Sequence, residues 1–428
     1  MRRVLFLAYD FPPIASPAAQ RARHFVRYLP VHGWQPVVVT PRAGASWAYD
    51  PAGLADLPAE LELCRTPTAE PGRALRRLRS DTGTARADGD GDPSPLGRRL
   101  REWLLVPDSQ AGWIPFAATR ALKQARTVEV VLTTSPGSAH LAGALASRAT
   151  RTPWVADFQD PWSTPAFQQW QGRWRPWIDK RLERAVVCRA DRLVATTEWL
   201  AEHLASVGAR QPPAVVANGY EPAEQPQASG SDEHFTLLHA GSFYGPRSPE
   251  PLLAAVAAAL EAEPAMRACV RVRLLGLQDA RNTARLAGSI RRLGLEQVVE
   301  QAGQVPRREA LTAMRAAAVL TLVADPLEGG RGLIPLKLYE YLAAGRPLLA
   351  LTPPDGEAGR LAQAAGGTVV HPSNVAAAAS AVRRLYRGWQ AGESGGHAPA
   401  ELVERYRWDK LTAKLAHILD DTAARRRP

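Results

Sequence analysis

GGRGLIPLKLYEYLAAGRPLLAL, residues 329–351, joins a glycine-rich turn to a helix and then to a short apolar strand. Strands that alternate with helices in this way are typical of an α/β fold with a parallel sheet. The glycines allow the backbone to approach a ligand closely, and the N-terminus of the helix that follows attracts phosphate. The stretch therefore predicts a fold class and a place where an anionic ligand can bind.

Lys337 and Glu340 lie three residues apart on this predicted helix, so their side chains share one face. A lysine can neutralise a diphosphate, and a carboxylate can accept hydrogen bonds from the two hydroxyls of a ribose. One face that offers both groups fits a nucleoside diphosphate. The pair also fits a plain surface ion pair worth about 0.2–0.5 kcal/mol, and the helix alone does not choose between the two interpretations.

Two series of strands and helices make up the rest of the chain, and each alternates β-branched runs with Ala/Leu-rich segments. Short apolar runs separated by amphipathic helices predict parallel sheets covered on both faces. The predicted strands are 4–10, 36–40, 129–135, 153–158, 192–197, 235–241, 270–276, 298–303, 319–324 and 367–370. The predicted helices are 20–33, 138–149, 249–264, 279–293, 308–318 and 400–421. We therefore predict two doubly wound α/β domains, with ligands at the carboxyl ends of the strands in the cleft between them.

The composition agrees with a chain of two domains. A length of 428 residues exceeds what one core supports. The boundary falls in the Pro- and Ser-containing segment 221–234, which we interpret as a hinge between domains 1–222 and 223–403. The polar segment 80–97 is expected to be a mobile loop of the first domain.

The three cysteines are scattered without metal-ligand spacing, which is typical of reduced thiols in a cytoplasmic protein. The apolar run at the N-terminus is too short for a signal peptide, and no run reaches the roughly 20 residues of a membrane span. The net charge of +11 favours phosphate-bearing partners. Nucleic acid is excluded as a partner, because no known nucleic-acid-binding module is recognisable.

The segment LKLYEYLAAGRPLLAL, residues 336–351, resembles the donor-site helix of GT-B glycosyltransferases, in particular the large retaining family 4. The resemblance implies that Glu340 holds the ribose of a nucleotide. Members of that family usually carry an earlier glutamate at the position of Gly332, next to Leu333 on the donor loop. Glu328 is the candidate replacement for that glutamate.

The segment LLHAGSFYGPRSPEPLLAAV is similar to the glycine loop after the first strand of the family's donor domain. The resemblance places Gly241 and Ser242 at the donor and gives Arg247 the role of a lysine that neutralises the leaving diphosphate, together with Lys337. The Gly-Gln-Val turn at 303–305 resembles the turn that packs on the nucleobase.

That turn contributes Gly303 and Val305, mostly through backbone atoms, and does not identify the base. YRWDKL, residues 406–411, resembles the entry to a final helix that crosses back onto the first domain, here at about 404–428.

In the first domain, the DFQDPW run resembles an Asp-Phe-x-Asp-Pro-Trp signature of bacterial members of this family. Asp157 and Asp160 leave a strand end, where carboxylates can orient or deprotonate a sugar hydroxyl, or can instead cap the next helix. Ser16, Gln20 and His140 are predicted on the acceptor side, although for His140 an ordinary partly buried histidine is the favoured interpretation.

The resemblance implies a retaining, metal-independent glycosyltransferase that uses a nucleotide-diphosphate sugar and needs no cofactor. The acceptor would be a hydroxyl compound, either a lipid-linked or cell-envelope polysaccharide precursor or a secondary metabolite. Two alternatives stay open, namely a nucleotide-sugar epimerase of the same fold and a non-catalytic nucleotide-sugar-binding protein.

Arginines alternate with tryptophan and leucine in residues 97–108 and 170–186. This composition suits a peripheral contact with anionic lipid on the inner leaflet, and it equally suits core tryptophans beneath a solvated arginine rim.

Overall fold

The computed structural model describes residues 1–42, 49–70, 105–164, 172, 174–226, 233–243, 248–276, 280–324, 330–393 and 398–425. The chain divides into two compact units, Met1–Asn218 with Trp408–Pro428, and Gly219–Arg407. The domain boundaries predicted from the sequence lie within a few residues of these. The predicted loop at 80–97 and residues 227–232 of the predicted hinge lie outside the described residues.

In the described part of the first unit, seven parallel strands form one sheet in the order β3-β2-β1-β4-β5-β6-β7. The strands are β1 (Arg2–Leu7), β2 (Trp34–Pro41), β3 (Glu62–Thr66), β4 (Val130–Thr134), β5 (Trp154–Phe158), β6 (Arg192–Ala195) and β7 (Ala214–Val215). The helices are α1 (Pro17–Tyr28), α2 (Ile114–Gln124), α3 (Gly137–Thr150), α4 (Trp174–Val187) and α5 (Glu198–Val207). The strand order reverses between β1 and β4, which makes the carboxyl ends of these two strands the expected place for a ligand.

In the described part of the second unit, six parallel strands follow the order β10-β9-β8-β11-β12-β13. The strands are β8 (Phe235–Ala240), β9 (Val270–Leu275), β10 (Val299–Gly303), β11 (Val319–Val323), β12 (Leu348–Leu351) and β13 (Thr368–Val370). The helices are α6 (Glu250–Ala262), α7 (Ala280–Arg292), α8 (Arg307–Ala316), α9 (Leu336–Ala344), α10 (Glu357–Ala364), α11 (Val375–Gln390) and α12 (Ala400–Glu404). Its order also reverses beside the first strand, between β8 and β11.

The central strands of both sheets are buried on both faces, as the continuous apolar runs predict, whereas the edge strands β7, β10 and β13 are partly exposed. In the first unit, Val4–Leu7 and Val37–Val39 are fully buried, and the core is completed by alanines of α2 and α3. In the second unit, α6 and α11 pack together over β8 and β9 through leucine, valine and alanine side chains. Small residues let these helices approach the sheet closely, so each unit has its own core.

The C-terminal region differs from the prediction of one helix over 400–421. The backbone leaves helical geometry at 405–407, where the N–H of Tyr220 donates to the carbonyl of Tyr406 over 2.9 Å. A new helix, α13 (Trp408–Ala424), then begins and belongs to the first unit. There Trp408 stacks on His24 with ring centroids 4.9 Å apart, and Trp34 Nε1 donates to Asp420 over 2.8 Å. The amphipathic pattern was correct, but a strand-like pairing at 407 replaces one turn of helix.

Two helical glycines give a matched test of packing. A Cβ at Gly143 of α3 would lie 2.1 Å from Thr133 Cγ2 of β4, whereas a Cβ at Gly288 of α7 would meet nothing within 4 Å. We expect Gly143→Ala to lower the free energy of unfolding by about 1–3 kcal/mol through overpacking. Gly288→Ala should raise it by up to about 1 kcal/mol. Urea denaturation measures both; equal effects would contradict this packing.

Candidate functional site

In the second unit, three neighbouring strands end on glycines with positive φ. Gly241, Gly276 and Gly303 follow or end β8, β9 and β10 with φ of +143°, +121° and +68°. The N–H of Gly276 donates to the carbonyl of Gly303 over 2.6 Å, and a Cβ on Gly276 would lie 2.5 Å from the carbonyl carbon of Gly241. This edge of the sheet is therefore built from closely packed backbone, which leaves room for a ligand to approach it.

Lys337, on the first turn of α9, reaches this edge. Its Nζ lies 2.7 Å from Nε2 of His239, and Nδ1 of His239 lies 2.9 Å from the carbonyl oxygen of Thr321. A carbonyl only accepts, so we assign the ring proton to Nδ1, and Nε2 then accepts from the ammonium. A Cβ at Gly241 would lie 2.5 Å from Nζ, so the lysine occupies the space that glycine provides. The structure thus brings together two residues predicted separately, Gly241 and Lys337.

Glu340, one turn further along α9, is only 6% exposed. Its Oε1 accepts from Nη1 of Arg307 over 2.7 Å, and Nε of Arg307 donates to Oε2 of Glu224 over 2.7 Å. Among the described residues, Arg307 is the one hydrogen-bond donor to this carboxylate. Burial lowers the pKa of Arg307, but the two carboxylates more than offset this and raise it above its ordinary value. A firmly charged arginine therefore holds one oxygen of Glu340.

Tyr341 connects α9 to the strand ends. The N–H of Ala240 donates to its hydroxyl over 2.8 Å, and the hydroxyl is 3.3 Å from the carbonyl oxygen of Thr321. Burial raises the pKa of the Tyr341 phenol, so it stays neutral and can donate to that carbonyl. Tyr341 therefore fixes α9 beside the end of β8, and with it the positions of Lys337 and Glu340.

The other predicted donor residues are placed only in part. Gly332 is buried, and the N–H of Leu333 donates to the carbonyl of Gly330 over 3.2 Å in the turn before α9. Ser242 follows Gly241, and Val305 follows the end of β10. Arg247 and Glu328 lie outside the described residues, so their roles stay predictions.

Sequence reasoning missed three residues of this site, His239, Arg307 and Tyr341. The histidine at the end of the apolar run FTLLHA was a detectable signal, because a buried strand seldom carries an ionisable group without a partner. No local pattern points to Arg307, whose partners lie 33 and 83 residues away in the chain.

In the first unit, Asp157 is fully buried and engaged by its neighbours. Arg21 donates to both carboxylate oxygens over 2.7 and 2.9 Å, and the hydroxyl of Thr134 donates to Oδ2 over 2.9 Å. Arg21 also donates to the carbonyls of Val216 and Ala217. This geometry gives Asp157 a structural role, joining β5 to α1 and to the end of the unit; a catalytic role stays a prediction without geometric support.

Asp160 and His140 line a cavity at the carboxyl ends of β1, β4 and β5. Asp160 is exposed, whereas His140 is 1% exposed and stacks on Phe158 with ring centroids 4.4 Å apart. Burial lowers the pKa of His140 to about 4, although Asp157 opposes that change, so the imidazole is neutral at pH 7. The structure thus brings Asp160 and His140 to one cavity and excludes Asp157 from its lining.

Ser16 precedes α1 and Gln20 lies on its first turn, both beside this region. Ser16 caps the helix by accepting from the N–H of Ala19 over 3.1 Å, and its hydroxyl donates to Asp10 over 2.7 Å. Gln20 is half-buried, and its Oε1 accepts no hydrogen bond from the described residues. Ser16 therefore contributes to the site through Asp10, which lines the cavity.

Within the described ranges, no group of three or more His, Cys, Asp or Glu residues could hold a metal ion. The helices of those ranges are all too short or too polar to span a membrane. The independence from metal and the contact with lipid stay predictions.

Two models of known protein families together match most of the chain. A family model described as a glycosyl transferase 4-like domain matches residues 18–219, and one described as glycosyl transferases group 1 matches residues 234–388. D-inositol 3-phosphate glycosyltransferase of Streptomyces coelicolor is 26% identical over 270 residues. That alignment covers 55% of this chain and 56% of the relative, so the chain spans about half the length of the curated relative it matches.

Solved structures match over nearly the full length. Sucrose-phosphate synthase from Thermosynechococcus elongatus matches with a TM-score of 0.68 and 14% identity, covering 99% of this chain and 100% of that one. The Anabaena protein HepE in complex with UDP-glucose matches with a TM-score of 0.62 and 16% identity, covering 98% and 100%. At such identities the likeness concerns the fold, and it confirms the predicted architecture of two doubly wound units.

The buried and the exposed aspartate of the first unit can be compared directly. We expect Asp157→Ala to lower the free energy of unfolding by about 3–5 kcal/mol, because Arg21 is left with an unpaired buried charge. Asp160→Ala should change it by no more than about 0.5 kcal/mol. Urea denaturation followed by tryptophan fluorescence measures both variants. A small effect for Asp157→Ala would rule out the structural role.

Proposed function

We propose that the chain is a family 4-like GT-B glycosyltransferase that moves a sugar from a nucleotide-diphosphate sugar to a hydroxyl acceptor, a proposal supported by the two glycosyltransferase family models that match residues 18–219 and 234–388. The observation that carries this proposal is the Lys337 ammonium held against Gly241 at the end of β8. It supplies a fixed positive charge beside the strand-end backbone and the N-terminus of α9.

The diphosphate is proposed to bind between the strand-end glycines and the start of α9. The first N–H groups of a helix have no partner within the helix, and the helix dipole adds positive character there. Lys337 lies on that first turn. The neutral Nε2 of His239 accepts a hydrogen bond from the Lys337 ammonium, which holds the ammonium in place and adds no second charge. The ammonium, the helix end and the glycine backbone together suit an anion that approaches closely.

The ribose is proposed to bind Glu340. Arg307 holds Oε1 by a charge-assisted hydrogen bond, while the second oxygen accepts no hydrogen bond from the described residues. A carboxylate fixed in this way keeps one oxygen for ribose hydroxyls and needs no reorganisation when the nucleotide arrives. Arg307 also lowers the cost of keeping this buried carboxylate charged near a diphosphate.

We propose a retaining transfer in which protein cations, rather than a metal ion, neutralise the departing diphosphate. Lys337 and the start of α9 supply positive charge on one side, and Arg247 is proposed as the second cation. Asp157 is occupied by Arg21, which disfavours it as a covalent nucleophile. A front-face route, in which the leaving phosphate accepts the acceptor proton, needs no nucleophile from the protein.

The relatives suggest which donors and acceptors to examine first. HepE was crystallised with UDP-glucose, and the Streptomyces relative is named for transfer to D-inositol 3-phosphate. Uridine diphosphate is therefore the first nucleoside diphosphate to test, and UDP-glucose is the first sugar donor. Lipid-linked and cell-envelope glycan precursors are proposed as acceptors, with secondary metabolites as the alternative class.

A thermal-shift screen of nucleoside diphosphates tests the donor site, since a ligand of the folded state raises the melting temperature. For the best ligand, Lys337→Ala should weaken binding of the diphosphate about 10- to 100-fold, as expected for one charge-assisted hydrogen bond of about 1.5–3 kcal/mol. Binding of the nucleoside should not change.

Glu340→Gln keeps an acceptor for Arg307. It should weaken binding of the nucleoside diphosphate, and this loss of affinity should disappear with the 2′,3′-dideoxy diphosphate. Isothermal titration calorimetry measures each affinity.

Lys414→Ala, at an exposed lysine of α13, is the matched control for loss of one positive charge. A shift of the same size in Lys414→Ala would show a general electrostatic effect. The donor-site proposal fails if no nucleoside diphosphate raises the melting temperature, and the transfer proposal fails if purified protein releases no diphosphate from any nucleotide sugar with any acceptor class.

We also propose that α4 contacts anionic lipid on the cytoplasmic face of the membrane. Trp177 is 56% exposed, and the guanidinium of Arg181 lies 4.3 Å from its ring centroid. Lys180 and Arg184 are exposed and continue the same face at helical spacing. A tryptophan surrounded by basic side chains on one helix face fits the interface of an anionic bilayer.

Vesicles of phosphatidylcholine with phosphatidylserine should sediment the protein at low salt, and about 0.5 M NaCl should release it, because screening shortens the range of attraction. Lys180→Glu with Arg181→Glu should weaken sedimentation at least about tenfold, given about 1 kcal/mol per basic residue. Arg291→Glu with Arg292→Glu, on α7, makes the same change in net charge and should have little effect. Equal losses in both double variants would refute a specific role for α4.

A further inference from the structure

The cavity of the first unit has a volume of about 280 Å³ and lies where the strand order of the sheet reverses. Its lining comes from the segments that follow β1, β4 and β5, together with the segment before α2 and one side chain of α4. Crevices at this position of doubly wound sheets bind ligands, and the volume is at the lower end for small-molecule sites.

A buried donor without a partner lines this cavity. Trp154 Nε1 donates to Oγ1 of Thr133 over 2.9 Å, and that oxygen lies 2.8 Å from Nδ1 of His140. Thr133 is fully buried, so its hydroxyl proton needs an acceptor, and Nδ1 of His140 provides one. We therefore assign the ring proton of His140 to Nε2, which has no hydrogen-bond partner among the described residues. A ligand oxygen would satisfy it.

Four carboxylates line the same cavity, from Asp10, Asp108, Asp160 and Asp179. No lysine or arginine belongs to the lining as far as the described residues define it. Asp108 accepts from the backbone and hydroxyl of Ser138, and Asp179 pairs with Arg175. Burial raises the pKa of both carboxyl groups. A raised pKa favours the neutral acid form of these two groups. The negative charge that attracts hydroxyl and ammonium donors and repels phosphate therefore comes mainly from Asp10 and Asp160.

Aromatic side chains complete the walls. Tyr9, Phe158 and Trp162 all line the cavity, and the ring of Trp162 packs so closely on Gly137 that a Cβ there would lie 2.8 Å from Cζ2. The indole Nε1 of Trp162 is buried, and its interaction with the Asp179 carboxylate lowers the pKa of that group, against the larger effect of burial. Apolar ring faces combined with a few fixed polar groups are typical of sites that orient a ring-shaped ligand with hydroxyls at its rim.

We propose that this cavity binds the polyhydroxylated ring of the acceptor as a neutral or amino sugar and discriminates against a phosphate on that ring. The inference rests on the proposed function and deepens it by naming the acceptor class. Sugar hydroxyls would donate to the carboxylates and accept from Nε2 of His140. A phosphate in the same space would face the carboxylates of Asp10 and Asp160, with no lysine or arginine in the described lining to neutralise it.

Saturation-transfer difference NMR on the full chain, without nucleotide, tests this. The probes are glucose, galactose, mannose and N-acetylglucosamine, each paired with its 6-phosphate. At least one neutral sugar should give a signal, and its 6-phosphate should bind at least about tenfold more weakly through like-charge repulsion. Asp160→Arg places a cation at the exposed rim and should reverse this preference. Glu202→Arg, on an exposed position of α5, makes the same charge change and should leave it unaltered.

Absence of a signal for every neutral sugar overturns the inference, as does a 6-phosphate that binds as well as its parent sugar. A reversal of preference in Glu202→Arg would show that net charge, and not the cavity, sets the selectivity. These readouts are independent of the nucleotide. A protein that binds neutral sugars but no nucleoside diphosphate would contradict the proposed function alone, and the opposite result would contradict this inference alone.

Discussion

The candidate donor site depends on the close approach of the Lys337 ammonium to the backbone at Gly241. The approach requires glycine at this point, because a Cβ would lie 2.5 Å from Nζ. It also requires a neutral acceptor beneath the ammonium, which His239 provides because the Thr321 carbonyl fixes its ring proton on Nδ1. One positive charge therefore constrains the sequence at the end of β8 and the start of α9, together with the backbone of β11.

The negative charge of the Glu340 carboxylate is also held in place by a neighbouring side chain, that of Arg307. A buried carboxylate beside a bound diphosphate would be strongly disfavoured, so it needs a fixed cation. Arg307 provides that cation, and Glu224 balances the charge of Arg307 in turn. The chain of three charges leaves the second oxygen of Glu340 for a neutral donor such as a ribose hydroxyl. Charge in this unit is thus arranged before any ligand arrives, which reduces the reorganisation needed on binding.

Local patterns in the sequence predicted the described strands except β3 and β7, and they predicted the relation of Lys337 to Glu340, because periodicity and helical spacing are local properties. They did not predict the helices α2, α4, α5, α10 and α11. They could not predict Arg307 or the pairing of Arg21 with Asp157, since those partners are 33 and 136 residues apart. Asp157 and Asp160 looked alike in DFQDPW, yet one is fully buried and the other exposed. Tertiary packing decides which of the two aspartates is buried and which is exposed. The break at 405–407 likewise depends on a remote pairing with Tyr220.

The two candidate sites are opposite in charge, and we therefore propose that each binds a different substrate. The second unit offers an ammonium and a helix end, which suit a diphosphate, whereas the first unit offers carboxylates and one neutral imidazole donor, which suit hydroxyls. With a pKa of about 4, His140 is too weak a base to accept a proton efficiently near pH 7. Its role in the proposed reaction is therefore to orient an acceptor oxygen. Among the described groups that line this cavity, a carboxylate is better suited than His140 to assist removal of the acceptor proton, and Asp160 is the exposed carboxylate.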